Sequence, residues 1–178
     1  MPKIIRIDES RQQDVFLRNE PFQLWGRMKP AYDGERWTYT TEVFEKQQVE
    51  EMVFPDENYD FHGMQQSFFF VGAYDDDDKC VGLAIYQRHF LKHLYLYDLK
   101  VNQAYRGQNI GCMLIEEGKK LASENGYKGL YTIGQDNNLS ACLFYLKSGF
   151  VIGGLNTHVY NGTRQAGKSD IYFYFALS

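Results

Sequence analysis

Residues 105–114 read YRGQNIGCML. Arg106, Gly107, Asn109 and Gly111 stand immediately ahead of an apolar helical pattern, Ile110, Leu114, Ile115, Gly118 and Leu121. A strand that hands over at once to a helix leaves the first helical N–H groups pointing outward, and together they carry about half a positive charge. Glycine has no Cβ and tolerates positive φ, so a ligand can approach that backbone closely. An arginine adds charge-assisted bonds to phosphate oxygens. The chemistry on offer is the binding of an anion, with a diphosphate as the natural guest. The same residue types also make an ordinary tight turn. The stretch is neither a P-loop, which needs Gly-Lys-Ser/Thr, nor a GxGxxG fingerprint, so taken alone it leaves both readings open.

Other chemistry-bearing residues are thinly spread. His62, His89, His93 and His158 show no metal-ligand spacing, and no metal is expected. Cys80, Cys112 and Cys142 are odd in number, far apart and without a CxxC pair. They read as free thiols that fill space in a reducing compartment, which points to the cytoplasm. Residues 1–80 hold 17 acids and 9 bases, and residues 81–178 hold 6 acids and 10 bases. Either solvated faces differ by accident, or the first half meets a cationic ligand and the second an anionic one. The overall charge of −4 argues against general nucleic-acid binding. No apolar run reaches the roughly 18 residues of a membrane span, and MPKIIRIDES lacks the layout of a signal peptide.

The elements that must position these groups can be read from hydrophobic period and turn residues. Strands are expected at 3–7, 36–41, 66–74, 80–90, 93–101, 129–134, 150–160 and 169–177. Residues 10–30 lean helical, and 45–64 form an acidic, irregular segment with one helical turn. Strands 66–74 and 80–90 flank the polar turn DDDDK and form a hairpin. One helix runs from 110 to about 125, closed by Gly126; a second runs from Asn138 to 148, closed by Gly149. With no linker or repeat, this is a single domain over 1–178, an α+β arrangement of helices around one mixed sheet. Alternation along 93–101 puts Leu94, Leu96, Asp98 and Lys100 on one face and Tyr95, Tyr97, Leu99 and Val101 on the other.

About 26 residues after Gly111 comes DNNLSACLFYLKSGF. The pairing of the two stretches resembles the GNAT superfamily of N-acetyltransferases. Arg106 to Gly111 match its R/Q-x-x-G-x-G/A turn, while Asn138, Ala141, Phe144, Tyr145, Gly149 and Phe150 match its N…A…FYxxxGF helix. This likeness covers roughly residues 66–177. One departure is Asn109, where the family has glycine; asparagine is the non-glycine residue most at ease in the left-handed region. FQLWGRMKPAYDGERWTYTTEVF (22–44) further resembles the N-terminal segment of the streptothricin acetyltransferases. Gly26, Arg27, Pro30, Tyr32, Trp37, Tyr39, Thr40 and Glu42 fit its pattern, with Trp25 for an aromatic and Thr41 inserted.

The resemblance implies a GNAT-type mixed central β-sheet flanked by helices, and acetyl-CoA as co-substrate. Its turn (Arg106, Gly107, Gln108, Asn109, Ile110, Gly111, Cys112) holds the diphosphate. The strand at Leu99, Lys100 and Val101 supplies the oxyanion donor, and Asn138, Ala141 and Tyr145 complete the cofactor side, with Asn138 either meeting the pantetheine arm or capping its own helix. Lys100 and Lys147 are in place to assist phosphates, although Lys147 also suits a solvated helix face. The reaction moves acetyl from the thioester to a primary amine, whose pKa near ~10.4 leaves about one molecule in a thousand free at neutral pH. Asp98 is the best-placed proton acceptor, with a structural or substrate-binding carboxylate as the other reading; Glu42 and Asp60 compete for the role. Tyr145 resembles the family's general acid toward the leaving thiolate, and a core tyrosine is the other reading. Tyr32, Trp37, Tyr39, Glu42 and Asp98 are candidates to bind the acceptor by charge and cation–π contact. The implied acceptor is the β-lysine moiety of streptothricin, giving antibiotic resistance. Other acceptors are a polyamine, an aminoglycoside or a protein amine, and a non-catalytic CoA-binding module is the non-enzyme reading. Related folds often pair through strand edges, so a homodimer is among the implications.

Overall fold

The structure, a computed structural model, describes residues 1–178 and divides into two compact units. The first comprises residues 1–21, 53–130 and 177–178. It contains strands β1 (Lys3–Arg6), β6 (Phe68–Tyr74), β7 (Cys80–Gln87) and β8 (His93–Val101), in the order β1-β6-β7-β8. These three neighbouring pairs are all antiparallel. The unit also holds a 3-10 helix at Glu9–Phe16, the short helix α1 (Phe61–Met64) and the long helix α2 (Ile110–Glu124). β6 and β7 are continuous apolar runs because both of their faces are covered.

The two faces of this sheet differ. On one, the buried Tyr86 donates its hydroxyl to the Leu114 carbonyl of α2 at 2.9 Å. Its ring fills the space beside Gly118, where a Cβ would come within 2.3 Å. Only glycine lets α2 lie this close. Arg6 ties β1 to the solvent side of the helix through Glu117 and Glu124, each at 2.7 Å. On the other face Leu83, Ile85 and Phe70 cluster with Ile7, Val15 and Phe61, which brings in the 3-10 helix and α1.

The second unit comprises residues 22–52 and 131–176. Here the strand pairs β2 (Phe22–Leu24) with β5 (Glu50–Met52) and β3 (Gly26–Tyr32) with β4 (Trp37–Val43) are antiparallel. Strands β9 (Gly129–Gln135, whose first two residues fall in the first unit), β11 (Asp170–Ala176) and β10 (Val151–Asn156) lie in the order β9-β11-β10. Helix α3 (Leu139–Lys147) follows β9 and packs on β3, β10 and β11.

Most elements lie where hydrophobic period and turn chemistry put them, including the hairpin across the aspartate run and both helix stops, where Gly126 (φ +75°) and Gly149 (φ +91°) are left-handed. Residues 22–30 differ: they lie in β2 and β3 rather than in helix. Backbone bonding decides this. Met28 N–H donates to the Asp136 carbonyl at 2.9 Å, and Gly26 bridges Asn138 in parallel. Tertiary pairing overrides a weak local preference. No helix is long and apolar enough to cross a membrane.

Candidate active site

The loop between β8 and α2 has the geometry that its residue types suggest. Gly107 (φ +77°) and Asn109 (φ +65°) both take the left-handed conformation. Nothing lies within 4 Å of where a Gly107 Cβ would sit, and residues 106–109 are exposed. Asn109 caps α2 without a side-chain bond, so it is there for its backbone rather than its amide. The first i→i−4 bond of α2 runs from Met113 N–H to the Asn109 carbonyl at 3.1 Å. The amides of Ile110 and Gly111 therefore precede the helical ladder. This is an open backbone cradle at a helix N-terminus, fit for phosphate oxygens.

Arg106 is less free than its sequence position suggests. Its Nε donates to the Val101 carbonyl at 3.0 Å and its Nη1 to the Pro21 carbonyl at 2.7 Å. Beside it, the Gln103 amide donates to the Glu20 carboxylate, and Gln108 Nε2 donates to the Ala104 carbonyl at 3.1 Å. Arg106 thus clamps the loop to the end of β8 and to segment 18–21. Any bond it makes to a ligand must use Nη2 or the second N–H of Nη1, or exchange one of these carbonyls. Gln103, Glu20 and Pro21 drew no notice in the sequence, because residues 83 and 85 positions apart carry no local signal of contact.

On β8 strict alternation breaks down. Leu96 stands opposite Tyr86, and Asp98 opposite Ile85: two steps on β8 match one on β7. Tyr97 is the extra residue of a β-bulge, which turns the following side chains over. Leu96 therefore shares the α2 face with Tyr86, whereas Asp98 and Lys100 lie on the face of Ile85 and Leu83. The expected grouping of Leu94, Leu96, Asp98 and Lys100 on one face is corrected accordingly. A bulge inserts a residue without changing composition, so no periodicity count reveals it.

The bulge delivers Asp98 to Tyr59, whose hydroxyl donates to its Oδ2 at 2.9 Å. Lys100 Nζ reaches the same oxygen at 3.1 Å and Glu57 Oε2 at 2.7 Å. Lys100 is therefore committed to carboxylates and not to phosphates. Burial alone would raise the Glu57 carboxyl; the bonds from Lys100 and Asn19 outweigh it and hold the group below its ordinary range. Burial and then the Asp98 charge push the Tyr59 phenol upward, so it remains a donor. Asp60 sits apart from this network, at the start of α1.

Within the second unit, Asn138 caps α3: its side chain accepts from the Ala141 amide at 3.2 Å. Tyr145 is 9% exposed, and its ring packs on Phe144, Phe150 and Phe173 at centroid distances of 5.4–5.8 Å. Trp25, at the head of β3, donates to the Ser140 hydroxyl of α3 at 2.6 Å. The hairpin β3–β4 carries the aromatic candidates. Tyr32 and Trp37 face each other across it at 5.1 Å, and the Tyr32 hydroxyl donates to the Gly34 carbonyl. Tyr39 is exposed, and Glu42 pairs with Lys29 at 2.6 Å, which holds its carboxyl below the usual range. Tyr32, Trp37 and Glu42 thus find partners inside their own hairpin. Asp136 went unmarked in the sequence: it is a buried carboxylate two residues ahead of Asn138 that accepts from the Ser169 amide at 3.1 Å and lies 3.4 Å from Arg27 Nε.

Neither buried cysteine is poised as a nucleophile. Burial pushes the Cys80 thiol up to about 11, with Asp14 adding to it. Burial likewise pushes the Cys142 thiol up to about 12, with Asp136 adding to it.

The profile of the acetyltransferase (GNAT) family matches residues 30–150. The chain is also 30% identical to streptothricin acetyltransferase A of Bacillus subtilis (strain 168), over 97% of its own length and 98% of that protein's. The chain belongs to the acetyltransferase (GNAT) family. Two crystal structures share its fold. One, of a protein from Bacillus anthracis str. Ames named as a streptothricin acetyltransferase, is in complex with acetyl coenzyme A. It has a TM-score of 0.87 at 23% identity, covering 100% of this chain and 99% of that one. The other, a nourseothricin acetyltransferase, has a TM-score of 0.80 at 20% identity, with 99% of both chains covered. The α+β GNAT fold with its mixed sheet and flanking helices is thus borne out. The protein is a GNAT N-acetyltransferase, and the co-substrate of this family, acetyl-CoA, is its acetyl donor. It is of the streptothricin-acetyltransferase type.

Proposed function

We propose that this acetyltransferase modifies a primary amine of streptothricin, on its β-lysine moiety, and so removes a positive charge that the antibiotic needs. Likeness to streptothricin acetyltransferase A over 97% of the chain carries this reading. The acidic first half of the chain suits a polycationic acceptor. In this account resistance is the biological consequence, and the cytoplasm, where the antibiotic meets its RNA target, is the place of action.

The donor supplies its acetyl group as a thioester, and the chain's residues handle placement and protons. The amides ahead of α2, with Gly107 and Asn109 opening the way, hold the diphosphate. The backbone at Leu99–Val101 stabilises the oxyanion, and Asn138 with Ala141 borders the pantetheine arm. Asp98 binds the acceptor ammonium and is placed to take its proton directly or through water. Tyr145 holds the proton given to the departing thiolate. Starting from the ammonium, the nitrogen gives one proton to Asp98 and on to solvent before it attacks; it then gains the acetyl carbon and gives up a second proton, while the carbon–sulfur bond breaks and the sulfur gains one proton from Tyr145, which the second proton restores. Tyr32, Trp37, Tyr39 and Glu42 contribute to acceptor binding through the hairpin.

A thiol-release assay with acetyl-CoA and a panel of amines tests the reading. Turnover of streptothricin well above that of spermidine, kanamycin and a lysine peptide supports it. Preference for one of the others, or saturable acetyl-CoA binding with no turnover, overturns it.

A further inference from the structure

The hydrogen bond and the ion pair of the Asp98 side chain fall on one oxygen. Tyr59 and Lys100 both reach Oδ2, at 2.9 and 3.1 Å, and Oδ1 receives neither. The supports are themselves fixed. Lys100 has a side chain only 10% exposed and is held by Glu57 at 2.7 Å. Glu57 accepts in turn from Asn19 at 3.0 Å. The Tyr59 ring packs edge-on against Tyr97 at 6.3 Å, and the Lys100 ammonium lies 5.8 Å from its centroid. A carboxylate anchored through one oxygen presents the lone pairs of the other in a fixed direction. Two carboxylates around one ammonium also leave the network one negative charge in excess. The Asp98 side chain keeps 18% of its surface exposed, and an oxygen of that charge suits one more cationic donor.

We infer that Tyr59 and Lys100 are positioning residues for acceptor recognition, locking Asp98 by Oδ2 so that Oδ1 is aimed to receive the ammonium of the incoming amine. The inference rests on the acceptor role of Asp98 proposed above. It differs from a purely structural ion-pair network in what it predicts for kinetics. A structural network affects folding stability; a positioning network affects the acceptor KM and leaves the donor alone.

The test compares wild type, Tyr59→Phe, Asp98→Asn and the double variant. The acceptor is streptothricin, or spermidine if the enzyme turns over only the latter. Tyr59→Phe keeps the ring against Tyr97 and removes one bond to Asp98. It should raise the acceptor KM three- to tenfold, with kcat and the acetyl-CoA KM within twofold of wild type. In the Asp98→Asn background the same change should add less than twofold, because the two residues act as a unit. Lys100→Arg, which keeps the charge, should retain an acceptor KM within threefold of wild type. An unchanged KM in Tyr59→Phe, or an equal increment in both backgrounds, overturns the inference alone. An Asp98→Asn enzyme with unaltered acceptor KM overturns the role of Asp98 and the inference with it. Absence of turnover with any amine overturns the proposed function and everything built on it.

Discussion

Asn109 offers the sharpest test of the anion cradle. Its backbone sits at φ +65°, and its side chain makes no capping bond. Replacing it with alanine therefore removes no capping bond and exposes the left-handed strain. For a residue with a Cβ that strain is about 1–2 kcal/mol, less for asparagine than for alanine. If the bound state requires this conformation and the free loop can relax out of it, the strain is charged to binding. At 1.4 kcal/mol per factor of ten, a net cost of about 1 kcal/mol weakens CoA binding about fivefold. Glycine carries no such strain. Isothermal titration of CoA into Asn109→Ala and Asn109→Gly gives the comparison, with thermal melts to confirm that both fold. The expected result is a Kd raised roughly three- to tenfold for alanine and within twofold of wild type for glycine. An alanine variant that binds as tightly as wild type, or a glycine variant weakened tenfold, refutes the argument that backbone conformation makes the seat.

Three further outcomes are expected. Glu20→Gln removes a negative charge bonded to the Gln103 amide beside the cradle, so CoA should bind roughly two- to fivefold more tightly at low salt, with the gain shrinking at high salt by calorimetry. Tyr145→Phe should lower kcat roughly 100-fold or more, as for loss of a general acid, while the acetyl-CoA Kd stays within twofold; equal losses in both remove the acid role. Cys80 and Cys142, raised to about 11 and about 12 by burial, should resist Ellman's reagent at pH 8 until the chain is denatured. Because those thiols ionise more readily in the unfolded chain, their contribution to stability is complete below the ordinary thiol pKa. It should be lost as pH climbs toward 11, seen as a falling Tm.

What the sequence disclosed followed from local chemistry. The turn before α2, the stop at Gly149 and the asparagine cap of α3 each depend on residues within a few positions of one another. The apolar runs of β6 and β7 declared themselves because both faces are buried. What stayed hidden depends on long-range contact. Tyr59 lies in an acidic, irregular segment and meets Asp98 39 positions away. The bulge at Tyr97 reverses the facing of Asp98 and Lys100 without any trace in composition. Arg106 reads as a phosphate ligand by type, yet two of its donors hold carbonyls at Val101 and Pro21. Residues 22–30 lie in strands because Phe22–Leu24 pair with β5 and because Gly26 and Met28 bond backbone just after β9, partners that no local window contains.

The most direct measurement is the product itself. Streptothricin incubated with the enzyme and acetyl-CoA should gain one acetyl group, placed by mass spectrometry and NMR on an amine of the β-lysine moiety, with one free CoA thiol released per molecule modified. Streptothricin recovered unmodified from an enzyme that binds acetyl-CoA would contradict the account.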